Sequence, residues 1–201
     1  MSIDKNSYEV LNDALRSKSS VFFSGDGTDI TFQSELVKVT DDFLHIENTV
    51  LPHYIRDLLK SKNFSLMVQM VRFKANKIST NGKDLIFPLE EDSVIQETRG
   101  SERFIFSAEE RVMCEILNPY DNQTRLTKSV MDMSATGVSI RTAYASMLFS
   151  TGTKFSNLKI LIDGEIYREA DGAVVYARKL LDPKGHLKTQ VGIKFEVTDG
   201  L

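Results

Sequence analysis

Two short patterns in this chain place side chains suited to recognising a small anion. In Arg99-Gly100-Ser101-Glu102-Arg103, two guanidinium groups stand four residues apart around a glycine. A guanidinium forks onto phosphate oxygens, pairs with the O6 and N7 edge of guanine, and stacks on a base. In Asp132-Met133-Ser134-Ala135-Thr136-Gly137, an extended stretch carries a carboxylate and a hydroxyl on one side, and a glycine follows. A carboxylate accepts from N–H donors of a ligand. Ser134 adds a small donor or acceptor, and Gly137 lets backbone approach or turn without a side chain in the way.

Each pattern also has a plain reading. The arginines read equally as solvated linker charges, and Asp132-x-Ser134 as a hydrogen-bonded turn with Gly137 at a bend. By chance the first pattern turns up in roughly half of chains this long and the second in about a tenth. Their order, the gap of about 30 residues between them, the intervening strands and a late Val191-Gly192-Ile193-Lys194-Phe195 strand are jointly more specific.

The elements that must position these residues are mostly short strands. Residues 5–17 predict one amphipathic helix, with Tyr8, Leu11, Ala14 and Leu15 at three-to-four spacing. Strand patterns follow at 21–24, 30–33, 36–40 and 43–47, and 49–60 is ambiguous, with Pro52 able to open a helical turn. Residues 64–74 read as one strand broken by a bulge, and Asn81-Gly82 as a hairpin turn joining 76–80 to 84–89. Residues 90–103 read as the interdomain connection. Beyond it, strands are expected at 104–106, 110–117, 126–131, 138–142, 158–162, 165–168, 173–181 and 189–197. Asp163-Gly164 and Asp182-Pro183-Lys184-Gly185 turn the last hairpins. Phe22, Phe23, Phe104 and Phe106 read as core. So many short strands without alternating helices predict an all-β chain with minor α content, built as barrels or sandwiches rather than a parallel α/β sheet.

Composition narrows the chemistry. The chain has 201 residues, 41% hydrophobic and 26% charged, enough apolar mass for one large or two small domains. No apolar run is long enough for a membrane span, and the start lacks a secretory pattern, so a cytoplasmic protein is expected. Cys114 has no partner for an internal disulfide and reads as a buried thiol, while His45, His53 and His186 lack metal-ligand spacing. The net charge of −3 disfavours DNA or RNA as a partner. The first half, to residue 97, carries 11 basic and 15 acidic side chains, the rest 14 and 13. The balance favours the second half and its entry segment for a small anion, a modest difference that decides nothing alone. No Gly-rich phosphate loop, metal cluster or Ser/His/Asp arrangement is present, so no enzyme activity, metal or cofactor is expected.

Taken in order, the two patterns resemble the PilZ family, whose members bind the bacterial second messenger cyclic di-GMP. The family motif is Arg-x-x-x-Arg at the entry to a six-stranded barrel, then Asp/Asn-x-Ser-x-x-Gly on an early strand pair. Arg99 and Arg103 match the first part; Asp132, Ser134 and Gly137 match the second; 192–195 is similar to the closing strand. The resemblance spans about residues 98–198. The preceding half is similar in architecture to the smaller split-barrel-like domain that precedes PilZ in flagellar-brake-type proteins. It implies two small β-barrels, 1–97 with a short leading helix and 98–201, with 98–103 acting as hinge and ligand clamp. It further implies a non-catalytic cyclic di-GMP receptor in motility or biofilm regulation. Ligand would change the interdomain orientation and so signal to a protein partner that the sequence does not identify. The alternative is a structural or protein-interaction module of the same fold that binds no nucleotide. Thr98 stands where many members carry a further arginine, which bears on whether one or two ligand molecules bind.

Overall fold

The computed structural model describes residues 3–69, 71–90, 92–95, 103–106, 110–143 and 147–196. Arg99, one of the expected site residues, lies outside them, as does Thr98. The chain divides into two compact units. One is Met1–Arg99 with Leu180–Leu187; the other is Gly100–Lys179 with Lys188–Leu201.

The first unit opens on helix α1 (Lys5–Arg16), capped by Asp4, whose carboxylate accepts from Ser7 N–H at 3.0 Å and Ser7 Oγ–H at 2.6 Å. The Ser7 hydroxyl, then its amide, hold the Asp4 carboxyl below its ordinary value of 3.8. The helix buries Leu11 and Ala14 in the core of this unit. Strands β1 (Ser20–Gly25), β2 (Ile30–Val39), β3 (Phe43–Glu47), β4 (Phe64–Val68), β5 (Val71–Ala75), β6 (Ser79–Thr80), β7 (Asp84–Pro88) and β8 (Val94–Ile95) pair antiparallel. Their order is β6-β7-β3-β2-β1-β4-β5-β8. Helix α2 (Pro52–Leu58) resolves the ambiguous stretch, with proline in its first turn. Alternate residues of β1, β2, β4 and β7 meet in an aromatic core. Phe23 stacks on Phe32 at 5.3 Å, and Phe87 meets Phe23 and Phe64 edge-on at 5.6 and 5.9 Å.

Two expectations are corrected here. Residues 64–74 are not one bulged strand but the hairpin β4–β5, whose turn includes Gln69 at φ 49°. The left-handed position is held by a glutamine, so the turn carries no glycine or asparagine to announce it. The two patterns at 30–33 and 36–40 are one ten-residue strand, β2.

The second unit comprises β9 (Arg103–Ile105), β10 (Val112–Leu117), β11 (Arg125–Ser134), β12 (Gly137–Thr142), a 3-10 turn at Met147–Phe149, β13 (Lys154–Ile162), β14 (Glu165–Leu181) and β15 (Leu187–Phe195). Pairing runs β10-β11-β12-β15-β14-β13 and back to β10, closing a six-stranded ring. Its interior holds Val112, Cys114, Ile116, Val138, Ile140, Leu158, Ile160, Val191 and Ile193. Those positions alternate along their strands, as a closed barrel requires. Asp163 and Gly164 both have positive φ and make the tight β13–β14 turn.

Phe104 departs from the expectation of core. It is 60% exposed, because β9 is a three-residue strand paired on β11. The turn at Asp182 behaves differently from an ordinary loop. Burial pushes this carboxyl up, but the His186 N–H, the His186 imidazole and the Lys184 N–H more than offset it and hold it below 3.8. Leu181, beside that turn, is buried in the core of the first unit.

Candidate functional site

Strand β11 changes partner along its length. Its first half, Arg125–Ser129, pairs with β10, while Asp132–Ser134 pairs with β9. A register shift between Val130 and Asp132 on the β12 side marks the change, and residues 130–134 are all buried. The expected strand end at Met131 is therefore three residues short. Asp132 and Ser134 lie on the strand itself, flanked by β9 and β12.

This register brings the two sequence patterns together. Arg103 stands opposite Ser134 in the β9–β11 ladder, and its Nη1 donates to Asp132 Oδ1 at 2.5 Å. The Asp132 side chain is 8% exposed and that of Arg103 30%, so the pair has a buried carboxylate and a guanidinium with an open edge. Nη1 and Nη2 together carry four N–H donors, and the contact engages one nitrogen.

Ser134 and Gly137 close the two-residue β11–β12 turn. Ser134 Oγ accepts from Thr136 N–H at 3.3 Å and donates to Gly137 O at 3.4 Å. Gly137 pairs with Lys194, and a Cβ there would lie 2.5 Å from Ile193 O. Glycine is required at this point by the close approach of β15.

A cleft of about 180 Å³ borders these residues, lined by Arg103, Thr136, Gly137, Tyr176, Gly192 and Lys194 among others. Both glycines in its lining are closely covered, Gly137 by the β15 backbone and Gly192 by an aromatic ring. The Tyr176 ring lies where a Gly192 Cβ would be, at 2.1 Å. A larger hollow of about 530 Å³ shares Thr136 and Lys194 and adds Asn157, Arg168, Asp171 and Phe195. Arg168 donates to Ala135 O at 2.9 Å with its guanidinium 4.1 Å over the Phe195 ring, tying the β11–β12 turn to β14 and β15. Tyr176, Lys194 and Arg168 are additions to the sequence reading. Lys194 lies within the quoted closing strand, whereas Tyr176 and Arg168 are single residues in strand runs and carry no spacing signal.

Among the described residues no group of three or more His, Cys, Asp or Glu is arranged to hold a metal ion. None of the helices among them is long and apolar enough to cross a membrane. Burial, with Glu115 adding, pushes the Cys114 thiol up to about 12.

The closed six-stranded ring with this hairpin beside an entry strand is a PilZ-type fold, as solved structures bear out. MrkH of K. pneumonia, solved as a complex with cyclic di-GMP, matches at TM-score 0.64 and 18% identity over 96% of this chain and 87% of that one. YcgR of Escherichia coli, also in complex with cyclic di-GMP, matches at 0.51 and 14% over 96% and 82%. A further MrkH structure, described as a cyclic di-GMP-dependent transcription regulatory factor, matches at 0.55 and 18% over 96% and 84%. No family model matches the sequence, and no curated protein does. The charge argument against nucleic acid finds no support in these comparisons, since one neighbour is a transcription regulatory factor.

Proposed function

We propose that this chain is a non-catalytic receptor for cyclic di-GMP, with Arg99, Arg103, Asp132, Ser134 and Gly137 as its ligand site. The observation that carries this is the ladder that sets Arg103, which lines the cleft, beside Asp132, 29 residues away in sequence. The PilZ-type fold and its neighbours solved with cyclic di-GMP support the choice of ligand. Asp132 fixes the Arg103 guanidinium so that its open edge meets a phosphate or the guanine O6/N7 edge without losing side-chain freedom on binding. Because Arg103 follows directly on the connecting segment, binding is proposed to alter how the two halves of the chain are held, and so to signal to a protein partner.

Calorimetric titration of the full chain tests this. Wild type is expected to bind cyclic di-GMP, and Arg103→Ala and Asp132→Ala to lose binding with the fold intact. A second reading draws on the same contacts. Arg103 and Asp132 satisfy each other, and Ser134 is engaged within its own turn, as in a structural module that binds no nucleotide. That reading holds if wild type gives no heat and no thermal shift with tens of micromolar ligand.

A further inference from the structure

A second guanidinium is held in place on the same unit, outside the motif. Arg178 stands exposed on β14, and its Nε donates to Gln190 Oε1 at 2.8 Å. Gln190 Nε2 donates in turn to Ser139 Oγ at 2.8 Å. Gln190 is 2% exposed and Ser139 fully buried. A buried amide is costly unless its polar ends are satisfied. Here one end is used on a buried hydroxyl and the other on the Nε of a surface side chain. A surface arginine is already well solvated and needs no such anchor. What the anchor changes is orientation: Nε is fixed, and Nη1 and Nη2 keep their N–H donors for a group outside the protein.

The register aligns this relay with the motif. Ser139 pairs with Asp132 across β11 and β12. Arg103, Asp132, Ser139, Gln190 and Arg178 lie one each on β9, β11, β12, β15 and β14; Asp132 and Ser139 are register partners, while the Arg103–Asp132 and Gln190–Ser139 bonds each step diagonally, two positions along their ladders. Each terminal guanidinium leans one strand inward onto a buried acceptor, Arg103 onto β11 and Arg178 onto β15. Those two strands are two spacings apart, about 10 Å. The Tyr176 ring stands beside these residues, 5.2 Å from Arg178 Cζ, and lines the same cleft as Arg103.

We infer that Arg178, positioned by Gln190 and Ser139, is a further binding guanidinium that takes the half of a cyclic dinucleotide Arg103 does not reach. The ligand class fits because it carries two phosphates and two guanines, and this set of residues offers two oriented guanidinium groups at its ends. The inference rests on the receptor reading above.

Titrating the full chain with cyclic di-GMP by calorimetry separates the two. Arg178→Ala is expected to weaken binding by about tenfold or more, the loss of a charge-assisted hydrogen bond, with a folded protein and a melting temperature lowered only by the unpaired Gln190 Oε1. Arg178→Lys keeps the charge but not the Nε fork and stays weakened. Gln190→Leu weakens binding in the presence of Arg178 and adds nothing to Arg178→Ala, which a merely structural role would not produce. If Gln190→Leu fails to fold, Arg178→Ala alone decides. An Arg178→Ala dissociation constant within twofold of wild type, with Arg103→Ala still non-binding, overturns this inference and leaves the receptor reading standing. Absence of wild-type binding overturns both.

Discussion

At the scale of single residues, Asp132 is held by geometry as much as by charge. Its Oδ1 accepts from Arg103, and a substitution that keeps an acceptor there preserves the arrangement. Asp132→Asn is expected to retain cyclic di-GMP binding within about tenfold, while Asp132→Ala frees the guanidinium and loses it; calorimetry on the two variants compares them directly. Cys114 shows what burial, with Glu115 beside it, does to a thiol. With its thiol pushed up to about 12, native protein at pH 8 should react with a thiol reagent on the order of a thousandfold more slowly than unfolded protein. The raised value also has a stability consequence. The folded state keeps the proton that the unfolded state gives up above the ordinary 9.0, so this contribution is intact below pH 9 and is lost as pH rises toward 12. Cys114→Val should flatten that part of an alkaline denaturation curve.

At the scale of elements, the site is a matter of which strand lies beside which. Strand β11 exchanges β10 for β9 at its bulge, and that exchange juxtaposes the two motif halves. Gly137 and the β15 backbone set the spacing on the other side. Gly137→Ala forces a Cβ toward Ile193 O and is expected to destabilise the chain by about 1–3 kcal/mol in denaturant titration, whether or not ligand is present. The reverse holds at Gln69, where a side chain sits in the left-handed region. Gln69→Gly should stabilise or leave unchanged, since relief of the backbone strain opposes the entropy of glycine.

The same elements show what the sequence makes legible. Strand existence, the leading helix and the Asp163-Gly164 turn follow from period and turn chemistry, because those signals are local. The partner exchange of β11 does not, because it depends on residues 103 and 132 meeting across a ladder. The Ser139–Gln190–Arg178 relay spans 51 positions and has no spacing of its own. The β4–β5 hairpin was hidden for a third reason: glutamine occupies a position where the chain's other left-handed turns mostly use glycine or Asp-Gly. The motif residues themselves stood out in the sequence, with Arg99 lying beyond what the structure describes.

At the scale of the whole molecule, the two units are not two consecutive lengths of chain. The backbone passes from one to the other at 99/100, at 179/180 and again at 187/188, and the last pair of crossings delivers Leu181 to the first unit's core. Truncation after residue 99 should therefore yield a first unit destabilised by about 2–5 kcal/mol, the cost of an unfilled leucine site, and visible as faster proteolysis than in the full chain. Synthesis runs from the amino end, so a growing chain on the ribosome carries all of residues 1–99 for some eighty further additions before Leu181 is made. The first unit thus waits, with a gap in its apolar interior, on a segment translated some eighty residues later, and its quality as a folded body is settled only once most of the second unit's strands have been made.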